Sequence, residues 1–282
     1  MRVTVLIENR PSATDSHLAS EWGLSLHINF NGHNILFDTG TSGSFTKNAD
    51  YLSINLRAVE TAVLSHHHSD HGGGLKRFFE ANSTARVHLG EVPNGECYLR
   101  PLPFIKKYVD LDKAIMTDYS HRFNIVTKPA EILPDVFVFP HITGSYPRPA
   151  GNKNIFVRKD GKMELDNFNH EIVMAIKQNN QLIIFTGCSH NGIINMVDTA
   201  AREFKGIPVK AVIGGFHLRS MPPFNFIAGS KSDVEKLSTD ILDYPIDQTY
   251  TGHCTGSKAF TILKNVMGAH LTDIRTGSSF EV

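Results

Sequence analysis

The stretch Ser65–Gly74, SHHHSDHGGG, follows the apolar run TAVL at Thr61–Leu64, and its reading decides how the rest of the chain is understood. Four histidines and an aspartate fall at positions 66–71, and three glycines follow. TAVL reads as a buried strand ending at the histidines, and GGLKRFFEAN (Gly73–Asn82) as the helix after them. A chain leaving a strand in extended form puts residues two apart on the same side, so His66 and His68 can grip one ion. The loop then turns at glycine, so Asp70 and His71 can face a second ion nearby. Imidazole nitrogen and carboxylate oxygen are the donors that borderline ions such as zinc favour. The middle histidine, His67, is expected to point away. Gly72 to Gly74 allow close backbone approach and open the next helix.

Around this cluster the composition is ordinary. The chain has 282 residues, 41% hydrophobic and 20% charged, enough for one large core or two modest ones. Basic and acidic residues balance at 28 each, which argues against nucleic acid or an anionic membrane as a partner held by a bulk field. No apolar run reaches the roughly 18–20 residues that span a bilayer, and the first residues, MRVTVLIENRPS, lack the pattern of a secretory signal. Three cysteines, Cys97, Cys188 and Cys254, make no disulfide framework, so a cytoplasmic location is expected. Histidine is the excess, at 15 residues.

Outward from the cluster, RVTVLIE and LSLHINF alternate as strands, with Leu24, Leu26, Ile28 and Phe30 on one face. Asn31-Gly32 reads as a hairpin turn into NILFD, and TKNADYLSI as a short helix. Between Glu91 and Asp135 the prolines 101, 103, 129 and 134 break the pattern, and a helix or two plus loop is expected. GSYPRPAGNKNIFVRKDGK (144–162) reads as a long loop or hairpin carrying Arg148, Lys153, Arg158, Lys159 and Lys162. From Glu171 the pattern is clean again. EIVMAIK and QLIIFTG form a hairpin around Asn179-Asn180, GIINMVDTAAREF a helix, VKAVIGG a strand and KSDVEKLSTDIL a helix capped by Ser230 or Ser232. QTYTG is then a strand and SKAFTILKNVM a helix. Two β-rich halves, each adding helices, predict one α/β domain over residues 1–282 with four layers, sheets inside and helices outside.

SHHHSDHGGGL resembles the signature of the metallo-β-lactamase superfamily, and ILFDTG (Ile35–Gly40) resembles its upstream strand motif. TGCSHNGIIN (Thr186–Asn195), AVIGGFHL (Ala211–Leu218), GHCTG (Gly252–Gly256), IENR and GLSLHI are similar to one branch, the dihydropterin-6-methyl-ribofuranosyl-aminobenzene phosphate synthase-like proteins. The resemblance covers nearly the whole chain and implies an αββα sandwich with a dinuclear metal site. It implies that Asp38 orients the histidine loop and that His253 joins Asp70 and His71 on the second ion. Cys188 and His190 stand where other branches place a bridging carboxylate. His190 is the ligand expected of the branch, and Cys188 either binds as thiolate or packs. His141, in PHITGS, is a candidate counterpart of the superfamily's intermediate histidine. His170 lies where the branch carries acidic residues and has no assigned role.

His217 follows a strand end and Gly214-Gly215, so it should border the same mouth as a hydrogen-bonding group or proton relay. Glu8 and Asn9 are rim candidates, and Cys254 is assigned to packing. The resulting expectation is a metal-dependent hydrolase or group-transfer enzyme. It would act on a small anionic substrate, phosphate-bearing and pterin-related if the branch name applies, through a metal-bound hydroxide at two divalent ions. Zinc is the first expectation for those ions, with manganese or iron as alternatives. Asp70 and His217 are the catalytic candidates, and the basic loop with Arg148 and Lys153 is the candidate for substrate anion binding. RSMPPFNFIAGS (Arg219–Ser230), with Met221, Phe224 and Phe226, reads as an apolar lid or a contact between copies of the chain. Two rival readings are an iron-dependent oxidoreductase of the same fold and a metal-containing sensor without turnover.

Overall fold

The computed structural model describes residues 1–102, 104–220 and 225–282. Met221 and Phe224 of the expected lid, and Pro103, lie outside the described residues. The first of two seven-stranded sheets runs in the order Ser279–Glu281, Arg2–Ile7, Ser25–Phe30, His33–Phe37, Thr61–Leu64, Arg86–Leu89, Phe123–Ile125. The second runs Leu271–Asp273, Ile246–Thr251, Val209–Gly214, Gln181–Phe185, Val173–Gln178, Val136–Phe139, Ala130–Leu133.

Side-chain alternation sorts these strands into layers. Val3, Val5, Leu26, Ile28, Ile35 and Phe37 of the first sheet meet Met174, Ile176, Ile183, Phe185, Ala211 and Ile213 of the second in one core. Each of these fully buried Val, Leu, Ile, Phe and Met side chains contributes about 2 kcal/mol of transfer free energy. The alternate residues face outward. Leu36, Ala62 and Leu64 pack with Phe45, Leu75 and Phe78 of the helices Ser44–Tyr51 and Leu75–Ala81. On the other side Val173, Ala175 and Ile184 pack with Ile194, Val234 and Leu263 of the helices Ile193–Arg202, Lys231–Asp243 and Ser257–Met267. The result is the expected four-layer αββα sandwich. Asn31-Gly32 (φ 49° and 87°) and Asn179-Asn180 (φ 50° and 57°) make the left-handed hairpin turns. Ser230 caps its helix, with Asp233 closing a capping box.

The segment Glu91–Asp135 departs from expectation. It holds the strands Glu96–Leu102, Ile105–Tyr108, Phe123–Ile125 and Ala130–Leu133 and one helix, Lys113–Asp118. Two of these strands join Ile155–Lys159 and Lys162–Leu165 in a four-stranded sheet at the edge of the sandwich. All four residues of Ile105–Tyr108 are exposed, so no buried face imprints a period on the sequence. Pro101 is tolerated because the strand register slips between Leu99 and Leu102. Among the described residues no helix is long and apolar enough to cross a membrane.

The topology also places the chemistry. Thr61–Leu64 runs parallel to His33–Phe37, and Ile246–Thr251, Val209–Gly214 and Gln181–Phe185 run parallel to one another. The loops leaving these strands carry Asp38, Ser65–His71, Gly187–His190, Gly215–His217 and Gly252–His253, and they converge at one end of the sandwich.

Candidate metal centre

The loop after Thr61–Leu64 is held by Asp38, whose carboxylate accepts from Ser65 N (2.8 Å), Ser65 Oγ (2.8 Å) and His71 Nδ1 (2.6 Å). Asp38 is buried and adopts a left-handed φ of 58°, as do Ser189 (58°), His217 (49°) and His253 (50°). Each such residue costs about 1 kcal/mol of backbone strain, and strain of this kind concentrates at functional sites. Gly187 is required by close approach, because a Cβ there would collide with Ser65 Oγ.

Two ligand groups result. His66, His68 and His190 bring one nitrogen each to within 4.8 Å of one another. His66 Nδ1 bonds Ser65 Oγ (2.9 Å), and His190 Nδ1 bonds Asn152 Oδ1 (3.0 Å), while Nε2 of both rings is buried with no partner. An Nδ1–H held by an oxygen leaves the Nε2 lone pair for a cation. The second group is Asp70, His71, Cys188 and His253. His71 Nε2 lies 3.1 Å from His253 Nε2 and 3.2 Å from Cys188 Sγ, and Asp70 Oδ2 lies 3.4 Å from His253 Nε2. Cys188 also groups with His190 and His217, which makes it the residue common to both sides of the centre. Orphaned imidazole nitrogens, one carboxylate and one thiol converging in a buried place are a donor set that fits a zinc-like divalent ion.

Several residues hold these donors and left little trace in the sequence pattern. Trp22 Nε1 donates to Asp70 Oδ2 (2.9 Å). Asn152 grips His190 at both its ring and its carbonyl. Glu171, fully buried, accepts from the backbone of His190 and Asn191. The rim candidates Glu8 and Asn9 act on His253: Glu8 accepts its backbone N–H, and Asn9 Oδ1 lies 2.9 Å from its Nδ1. His67 is buried outside both ligand groups, with Nε2 3.4 Å from Gly90 O, as expected of a bystander. Cys254 packs beside the centre, and its Sγ accepts from His217 N (3.2 Å).

Two expectations are corrected. His141 is exposed and donates through Nε2 to Thr127 O (3.0 Å), so it lies apart from both ligand groups. Arg148 and Lys153 are exposed and do not line the cleft at the centre. Arg148 donates to Asn167 O (3.1 Å) and borders a different cavity, against Ile194 and Leu237, because the chain at 147–150 wraps the start of the helix Ile193–Arg202. The cations on the cleft are instead Lys107 and Arg219. This cleft has a volume of about 190 Å³. His68, Asp70, Cys188, His190 and His217 line its floor, and Leu99, Val109, Ile155 and Trp22 its apolar wall. Arg219 lies over the Trp22 ring at 4.7 Å.

Burial pushes both His68 and His67 down to about 3. Burial would lower His71 too, but Asp38 and Asp70 outweigh it and raise His71 to about 9. For Asp70 burial raises the carboxyl, yet His71 and the His253 hydrogen bond hold it well below the usual range. Burial pushes the Cys188 thiol up.

The signs predict a dome of stability for metal-free protein. His67 and His68, depressed from 6.5, stabilise fully above pH 6.5 and lose that contribution as pH falls toward 3. His71, raised, stabilises fully below 6.5 and loses its contribution as pH rises through about 9. Urea unfolding of chelator-treated protein should show a maximum near pH 6.5 and a loss of about 5 kcal/mol by pH 4.5. A flat profile between pH 4.5 and 8.5 would contradict this assignment of protonation states.

Residues 25–114 match the family model described as the metallo-beta-lactamase superfamily. Over 252 residues the chain is 31% identical to the 7,8-dihydropterin-6-methyl-4-(beta-D-ribofuranosyl)-aminobenzene-5'-phosphate synthase of Methanocaldococcus jannaschii, covering 85% of this chain and 83% of that protein. Among solved structures it is similar to Tm1679, described as a metal-dependent hydrolase of the beta-lactamase superfamily. That match has a TM-score of 0.79 and 27% identity, and covers 100% of this chain and 99% of that one. Zinc-bound PqqB from Methylobacterium extorquens shares the fold at TM-score 0.58 and 14% identity, over 100% of both chains.

Proposed function

The chain belongs to the metallo-β-lactamase superfamily, and from that premise we propose that it is a metal-dependent enzyme, a hydrolase or group transferase acting on a small phosphate-bearing substrate. The observation that carries this reading is the pairing of two ligand groups, joined at Cys188, with a cleft whose apolar wall stands beside Lys107 and Arg219. Two divalent ions, zinc by the nitrogen, oxygen and sulfur donor set, would supply Lewis acidity and a nucleophilic water at neutral pH. His66, His68 and His190 would hold one, and Asp70, His71, Cys188 and His253 the other.

The chain's own residues do the rest. Asp70 takes the Trp22 N–H on Oδ2, which leaves Oδ1 to orient the attacking water. His217 lines the cleft with its Nδ1 buried and unpartnered, placed to hold the proton that the leaving group takes. Lys107 and Arg219 receive the phosphate, and Leu99, Val109 and Ile155 cover the apolar body of the substrate and exclude water. A substrate with an aromatic body and a phosphate suits this lining, and the relative's name contains both an aminobenzene and a phosphate. That relative is a synthase, which supports group transfer beside hydrolysis. The three free cysteines support a reducing cytoplasm as the setting.

Elemental analysis should find about two ions per chain, together with turnover among phosphodiesters and phosphomonoesters. In Lys107→Ala and Arg219→Ala, KM for the phosphate-bearing substrate should rise about tenfold each, the loss of one charge-assisted contact of roughly 1.5 kcal/mol, with kcat little changed. Metal-loaded protein inert on phosphoesters, lactones and thioesters alike would defeat the proposal.

A further inference from the structure

Beside the first ligand group lies a second set of buried donors that the proposed reaction does not use: Cys97, Asp166 and His170, with His68 shared between the two sets. Their hydrogen bonds show that they are not a third ion site. The backbone N–H of His67 donates to His170 Nδ1 (3.2 Å), so that nitrogen must offer its lone pair. The ring proton is then on Nε2, which donates to Asp166 Oδ2 (3.1 Å). A ring committed this way has no lone pair left for a cation. Asp166 is further fixed at Oδ1 by Phe168 N (2.7 Å), with the Cys97 thiol 3.8 Å from Oδ2. The side chains of Asp166 and His170 are 1% and 2% exposed, so solvent does not supply their partners.

One group on the other side lacks a partner. His68 Nε2 is buried without a hydrogen bond, and the carboxylate nearest to it is Asp166, whose Oδ2 is 4.0 Å away. A buried N–H without an acceptor costs about 1–3 kcal/mol. Closing this gap by about 1 Å would satisfy His68 and fix its tautomer, with the proton on Nε2 and the lone pair of Nδ1 left for coordination.

We propose that Asp166 and His170 are a positioning pair for His68: Asp166 accepts the His68 Nε2–H when the first ion binds, and His170, anchored on the His67 backbone, holds Asp166 in place. This gives the loop a closed circuit in which the backbone of the bystander histidine sets the ring of its neighbour. The inference rests on the reading that His66, His68 and His190 hold a divalent ion.

The test is zinc affinity of the full chain, measured by competition with a chromophoric chelator in two backgrounds. His253→Ala leaves the first ligand group as the intact one, and His66→Ala leaves the second. Asp166→Asn, which keeps the volume of the side chain, should weaken zinc about 10- to 100-fold in the His253→Ala background and leave the His66→Ala background unchanged. His170→Gln should reproduce that selectivity with a smaller loss. Urea midpoints of the metal-free proteins report whether each variant is folded. Equal weakening in both backgrounds, or none in either, would overturn the positioning pair while leaving the metal centre standing. Failure of the parent chain to bind zinc at all would overturn both.

Discussion

An Asp70→Ala variant is expected to drop from about two ions per chain to about one and to lose turnover by about a thousandfold. The carboxylate belongs to the second ligand group: Oδ2 is 3.4 Å from His253 Nε2 and 3.8 Å from His71 Nε2, and it accepts from Trp22 Nε1. Its removal takes the only carboxylate from the second group, leaving two imidazoles and a thiol whose pKa burial has raised. Charge stabilisation by a metal centre amounts to several kcal/mol, and each 1.36 kcal/mol is tenfold in rate, hence the thousandfold figure. A readout independent of activity exists, because the chain has one tryptophan. Trp22 loses its acceptor in Asp70→Ala, so its fluorescence should shift in metal-free and metal-treated protein alike. Asp70→Asn keeps an oxygen for the indole and should retain the wild-type emission while still losing the second ion. Two retained ions with turnover within tenfold of wild type would remove Asp70 from the proposed chemistry.

The second large effect should come from Asp38, which touches neither cleft nor substrate. Asp38→Ala leaves three buried donors, Ser65 N, Ser65 Oγ and His71 Nδ1, without their acceptor. Each orphaned donor costs about 1–3 kcal/mol, and alanine at the left-handed φ of 58° adds about 1 kcal/mol. A loss of about 4 kcal/mol in urea unfolding is expected after partial rehydration, with zinc affinity down by about 10- to 100-fold because His71 is no longer oriented. Asp38→Asn tolerates the backbone conformation but offers its amide where His71 needs an acceptor. It should therefore recover most of the stability and less of the affinity. Wild-type zinc affinity in Asp38→Ala would show that the loop holds itself.

Much of this architecture was legible along the chain, and the reason is local geometry. Strands buried on one or both faces write their layer into alternate residues, so Leu24 to Phe30 and Glu171 to Gly187 declared themselves. His66, His68, Asp70 and His71 were equally plain, since neighbouring residues of one loop suffice to bring donors together. The strands of the edge sheet were not, because Ile105–Tyr108 buries nothing and therefore carries no period.

What the sequence determined by itself was the sandwich and the candidate donors of the histidine loop, because both depend on spacing within a few residues and on the bulk chemistry of burial. Only the tertiary structure decided which distant residues complete and serve the centre. It set His141 apart from both ligand groups, put Lys107 and Arg219 rather than Arg148 and Lys153 on the cleft, and brought Trp22, Asn152 and the Asp166–His170 pair against the candidate ligands. These residues join the site from separate loops, and a single hydrogen bond across many residues of chain needs the right atom in one place, not a repeated pattern. Periodicity cannot encode such a contact, and convergence of strand ends at one edge of two packed sheets can.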